Sequence, residues 1–89
     1  MTEGSDVEVH PRVTDRHPDV TADDVVRAWT NALSMRRRNF DPPSHIAAAG
    51  VDTKGRIIEM VGVELEGGGV LVYHAMRLTA KMEKELGLR

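Results

Sequence analysis

The chain contains no cysteine. That absence removes a disulfide framework, a thiolate zinc site and a cysteine nucleophile together. Aromatic residues are nearly missing as well: Trp29, Phe40 and Tyr73 are the whole set. They leave few stacking platforms for single-stranded nucleic acid or for sugars. No apolar run approaches the roughly 20 residues that a membrane helix needs, and no basic-then-apolar leader opens the chain. A cytoplasmic protein without membrane association is the expectation. With 89 residues there is room for one small domain and not for two. The core must be aliphatic and small, with room for a partner chain to complete it.

A net charge of −2 argues against a generic polyanion binder, but it hides a gradient. Residues 1–24 hold seven acids against Arg12 and Arg16, a balance of −5, whereas residues 25–89 hold ten bases against seven acids, a balance of +3. A basic body behind an acidic stretch is compatible with an RNA or acidic-partner site, although solvated faces explain the same charges.

Residues 1–20 lack periodicity, carry Pro11 and Pro18, and read as an irregular arm. Within them Val7 and Val9 alternate with charged neighbours, which allows a short edge strand. Residues 21–89 form the compact domain. Thr21 followed by Asp24 is close to a capping box, with Asp23 and Asp24 favoured by the helix dipole. From there Val25, Ala28, Trp29, Ala32, Leu33 and Arg36 fall at helical spacing. The spacing predicts a helix that ends near Asn39, since Asp41-Pro42-Pro43 cannot continue it.

His45 to Val51 suits a strand, and Asp52-Thr53-Lys54-Gly55 is a turn. Arg56 to Leu65 is the strongest strand candidate. Three glycines, Gly67 to Gly69, then make a second turn before a strand from Val70 to Ala75. Two tight connections in a row predict an antiparallel meander. In that last strand the alternation places Val70, Val72 and His74 on one face. A final helix is predicted over Met76 to Leu86, with Gly87 as its C-terminal cap. The expected fold is a single α+β domain: α-β-β-β-α, with helices packed on a three- to four-stranded antiparallel sheet.

No P-loop, GxGxxG, HExxH or GxSxG motif is present. The four histidines, His10, His17, His45 and His74, have no spacing that pairs two on one helix face, so no metal site and no cofactor are expected. The suggestive segment is Tyr73 to Lys81, where the last strand hands over to the last helix. Arg77 in a first helical turn opposes the dipole, which hints at an anion there; pairing with a nearby acid is the plainer explanation. His74 at a strand end is a candidate acid or base, or simply a satisfied structural histidine. Arg36-Arg37-Arg38 complements a helix C-terminus, or with Arg38 reaches a nucleic acid. Arg56 begins the long strand and is a candidate phosphate contact.

Arg16-His17, the helix from Thr21, Gly55-Arg56, and His74-Ala75-Met76-Arg77-Leu78-Thr79 together resemble the BrnT family of bacterial toxins. The resemblance spans roughly residues 15 to 83. It implies a fold similar to the RelE and ParE toxins, a type II toxin–antitoxin ribonuclease, a cognate antitoxin and an RNA substrate. Arg16-His17 looks like the family's basic-His pair, and Gly55-Arg56 like its Gly-Arg at a strand start. Ala75, Arg77 and Thr79 fit its Ser-Ala-Arg-Arg-Ala-Thr stretch. Met76, His74 and His45 depart from it, standing where arginine, serine and arginine are usual.

Metal-independent RNA cleavage needs a base for the 2′-hydroxyl, cations for the developing charge and an acid for the leaving oxygen. The expected catalytic groups are His74, His17 and Arg77, with Arg56, Arg16 and Arg38 binding substrate. The alternative is a non-enzymatic interaction module on the same fold, homodimeric through a surface of Met60, Met76 and Met82. A small anionic-ligand binder is a third reading. Convergence of Arg16, Arg56, His74 and Arg77 on one groove favours the nuclease; scatter of the four, or pairing with Glu59, Glu64 and Glu83, favours the interaction module.

Overall fold

The structure, a computed structural model, describes residues 6–88; the first five positions of the predicted arm and Arg89 lie outside the described residues. Eight elements follow one another: β1 (Val7–Val9), α1 (Arg12–Arg16), α2 (Ala22–Thr30), β2 (Ala32–Arg37), β3 (His45–Val51), β4 (Ile57–Glu64), β5 (Val70–Arg77) and α3 (Ala80–Glu85). The five strands form one sheet in the order β1-β5-β4-β3-β2. Strands β2 to β5 are the expected antiparallel meander, whereas β1 pairs with β5 in parallel. The α+β class holds, but the sheet is mixed and has five strands rather than three or four.

Helices lie on both faces. On one, Val13, Val20, Val25 and Ala28 of the α1–α2 segment pack with Ala48, Ile58, Met60 and Val72. On the other, Met82 and Leu86 pack on Ala47, Ala49 and Val61. Both parities of β4 are therefore buried, which is why it reads as a nearly continuous apolar run. The segment before residue 21 contributes to this core through Val13 and Val20.

Two helix boundaries differ from the periodicity. Helix α2 starts where expected: Thr21 accepts from the Asp24 N–H, and the Asp24 carboxylate accepts from the Thr21 N–H. It stops at Thr30, and residues 32–37 turn into strand β2. Ala32, Leu33 and Arg36 satisfy a helical period, but the segment also alternates, and pairing with β3 decides the matter. The last helix is likewise shorter than predicted. β4 offers Glu59 and Ile58 as partners for Met76 and Arg77, so the chain stays extended to Arg77 and the helix begins only after Thr79. Gly87 (φ +70°) closes it as expected.

The predicted methionine surface does not exist. Met60 and Met82 are buried and Met76 is half-buried; the exposed large apolar side chains are Leu33, Met35, Phe40 and Ile57.

Candidate functional site

The site begins with an irregularity in β5. Val61 pairs with His74 and Gly62 with Val72, which leaves Tyr73 as an extra residue on the β5 side. A bulge of this kind inverts the alternation beyond it. Val72 and Ala75 both join the α1–α2 core, while Tyr73 packs against the α3-side cluster and His74 shares that face with its partner Val61. Two consecutive side chains thus face the same side. The predicted alternation put His74 with Val72; the bulge corrects this.

On that face His74 meets Glu59, which is buried in the middle of β4. His74 Nε2 lies 2.9 Å from Glu59 Oε2. The other carboxylate oxygen, Oε1, accepts the Thr79 N–H at 2.9 Å and the Thr79 hydroxyl at 2.6 Å. Thr79 is also the N-cap of α3, accepting from the Met82 N–H at 3.3 Å. Burial pushes the Glu59 carboxyl up, but the bonds from Thr79 and His74 outweigh it and hold its pKa below the ordinary value. Glu59 is therefore an ionised acceptor. As an acceptor it takes the Nε2–H of His74, which leaves Nδ1 with no hydrogen-bond partner among the described residues. Beside this pair the Tyr73 hydroxyl bonds His45 Nδ1 at 2.8 Å, with the two rings edge to face.

Two cavities adjoin His74. One, of about 330 Å³ on the α3 face, is lined by Glu59, Val61, Tyr73, His74 and Met82, with Arg12, Arg38, Lys81 and Glu85 at its border. The other, of about 200 Å³, runs between α1 and β5 and includes Arg12, Arg16, His17, Tyr73 and His74. Arg38 meets Glu85 through two bonds of 2.7 and 2.8 Å. The pairing raises the Arg38 pKa and lowers that of Glu85.

The expected convergence of Arg16, Arg56, His74 and Arg77 is not met: only Arg16 and His74 share a cavity, and His74 is bonded to Glu59. His74, His17 and Arg16 line one cavity, and Arg38 lines the neighbouring one. Arg56 is engaged elsewhere. Its guanidinium bonds Asp52 at 2.7 Å, the Asp19 carbonyl at 2.9 Å and Asp24 at 3.3 Å, tying the β3–β4 turn to the start of α2. Arg77 stands on strand β5 rather than in a helical turn, so the predicted dipole argument has no footing. Paired with Ile58, it belongs to the sheet face opposite His74. In the arginine triplet strand geometry replaces helix geometry: Arg36 and Arg38 turn toward the α3 side and Arg37 away, where it bonds Glu64 at 2.5 and 3.1 Å.

The sequence does not place Glu59, Arg12 or Tyr73 among the site residues, although Glu59 figures as an acid able to tie them up and Tyr73 opens the suggestive segment. Glu59 carried a signal: a lone carboxylate inside an apolar strand, between Ile58 and Met60. Arg12 and Tyr73 gave none, since their positions depend on the path of α1 and on the bulge. Among the described residues no group of three or more His, Asp or Glu is placed to hold a metal ion, and no helix is long and apolar enough to cross a membrane.

No family model matches the chain, and neither does any curated protein or solved structure.

Proposed function

We propose that this chain is a metal-independent endoribonuclease of the BrnT-like toxin type, on a RelE/ParE-like fold. The observation that carries the reading is the Glu59–His74 pair: a buried carboxylate holding an imidazole by Nε2, at the meeting of two cavities bordered by Arg12, Arg16, Arg38 and Lys81. His74 Nδ1 takes the proton of a ribose 2′-hydroxyl as its oxygen attacks the adjacent phosphorus. Arg12 and Arg16 stabilise the charge that develops on the phosphoryl oxygens. The P–O5′ bond breaks, and His17 gives its proton to the leaving oxygen. The products are a 2′,3′-cyclic phosphate and a free 5′-hydroxyl, with no other reactant consumed. Arg77 and Arg56 have no part in this step, and a cognate antitoxin would act by covering the same two cavities.

The test is incubation of purified chain with RNA in the presence of a chelator, with analysis of the ends formed. Cyclic phosphate ends, abolished by His74→Ala and absent with 2′-O-methyl RNA, are the expected result. Intact RNA in the presence of folded protein overturns it. The second reading, an interaction module without chemistry, draws on Leu33 and Met35 exposed along edge strand β2 and on Phe40 beyond it.

A further inference from the structure

Resting on that ribonuclease reading, we infer that the substrate is single-stranded RNA laid across the edge of β5, with its two nucleosides in separate cavities. The nucleoside bearing the attacking 2′-hydroxyl lies on the α3 face, and the leaving nucleoside lies beside α1. Three residues, Arg12, Tyr73 and His74, are common to both cavities. They mark the ridge over which a phosphodiester passes.

The ridge exists because β1 ends early. Its register with β5 stops at Val9 and Val72, and the last link is His10 N–H to the Val72 carbonyl at 2.9 Å. Beyond His10 the chain leaves the sheet as α1, so no strand pairs with β5 from Tyr73 onward and α1 packs beside it instead.

The order of the nucleosides follows from what stands on either side of His74. Glu59 lines only the α3-side cavity, and His17 only the other. The base is oriented from the first side and the leaving-group acid stands on the second. The linings differ in the same sense. Val61, Met82 and the Tyr73 ring, held by His45, give the α3-side cavity an apolar wall for a base. Arg12 and Arg16 give the α1 side cations for the following phosphate. Neighbouring bases placed on opposite sides of one strand cannot remain stacked. A paired A-form helix is therefore excluded, and an unstacked loop or single strand is required.

The experiment uses the wild-type chain and ligands that cannot be cleaved, followed by amide chemical shifts. A 2′-O-methyl dinucleoside monophosphate is expected to move signals of both Arg16–His17 and Lys81–Met82. A 2′-O-methyl nucleoside 3′-phosphate should move only the second set, and a nucleoside 5′-phosphate only the first. A duplex of the same bases should bind about 100-fold more weakly, because it must unpair and unstack. Both mononucleotides moving one and the same set, or duplex binding as tight as single strand, overturns the inference. Because nothing is cleaved in this experiment, its outcome is separate from the fate of the ribonuclease reading. RNA cut by a chain that shows one cavity only removes the two-cavity path alone. The two-cavity pattern without cutting removes the reaction alone.

Discussion

Glu59 joins two things that are far apart in the sequence: one of its oxygens meets His74 Nε2 at 2.9 Å, and the other holds both donors of Thr79, the cap of α3. The imidazole of His74 and the start of the last helix are thus held by one carboxylate. Truncating it to alanine leaves the half-buried Thr79 donors without their acceptor and should cost about 1 kcal/mol or more in urea unfolding.

Glu59→Gln separates orientation from fold. Glutamine keeps an oxygen for Thr79 but turns an amide N–H toward His74, so the ring accepts at Nε2 and carries its proton on Nδ1. In that tautomer it cannot take the 2′-hydroxyl proton, and cleavage should fall about 10²- to 10⁴-fold. Ring nitrogen shifts of His74 report the tautomer directly. An unchanged tautomer together with an unchanged rate would show that Glu59 serves the fold alone.

If His17 is the leaving-group acid, its loss should matter only for a leaving group that needs a proton. His17→Ala is expected to slow RNA cleavage by about 10²-fold or more. Cleavage of a nucleoside 3′-(p-nitrophenyl phosphate), whose phenolate departs unprotonated, should be little changed. Equal losses on both substrates would assign His17 to binding instead.

Arg12 and Arg77 make a second contrast, because Arg12 lines both cavities and Arg77 lines neither. Arg12→Ala should lower the slope of log affinity against log salt for single-stranded RNA by roughly 0.7, one phosphate contact. Arg77→Ala should leave the slope unchanged. Fluorescence titration at several salt concentrations reads both, and the reverse pattern would move the binding surface away from the two cavities to the end of β5 that carries Arg77.

Acid should unfold this protein chiefly through the β3–β4 turn. Asp24 is fully buried, and it accepts from Thr53, from Lys54 at 2.8 Å and from the Thr21 N–H at 2.9 Å. Burial pushes its pKa up, but these bonds prevail and hold it well below its ordinary 3.8; Asp52 is lowered in the same way by the backbone and side chain of Arg56 and by the Lys54 N–H. A carboxylate with a depressed folded-state pKa contributes stability above its unfolded value, and that stability is lost as the pH falls below it. Urea midpoints should accordingly drop from about pH 4 downward. Asp24→Asn should flatten that drop while costing about 1–3 kcal/mol at neutral pH, since the buried site loses its charged acceptor while Lys54 is half exposed and Arg56 keeps Asp52 and Asp19.

Gly50 tests the packing of α2 on the sheet. A Cβ built at this position would lie 1.9 Å from the Ala28 carbonyl oxygen, a backbone atom that cannot swing aside. Gly50→Ala should destabilise by about 1–3 kcal/mol or more by forcing α2 off β3. A thermal midpoint equal to wild type would mean that the helix seats differently.

Signals carried by neighbours in the chain were legible without coordinates. Thr21 and Asp24 mark the start of α2 because a capping box closes over three residues. The turns at Gly55 and at Gly67 to Gly69 are readable because each of these glycines has a positive φ that side chains disfavour. The strands from His45 to Val51 and from Ile57 onward follow from runs of apolar residues between those turns. What tertiary structure alone decided is whatever depends on a distant partner. Residues 32–37 are a strand because β3 lies beside them, although their spacing also fits a helix. The site depends on the bulge at Tyr73, which reverses the face of His74 and brings it onto Glu59. No local pattern encodes that reversal. It is settled by the register between β4 and β5, where a shift of a single residue exchanges one face of a strand for the other.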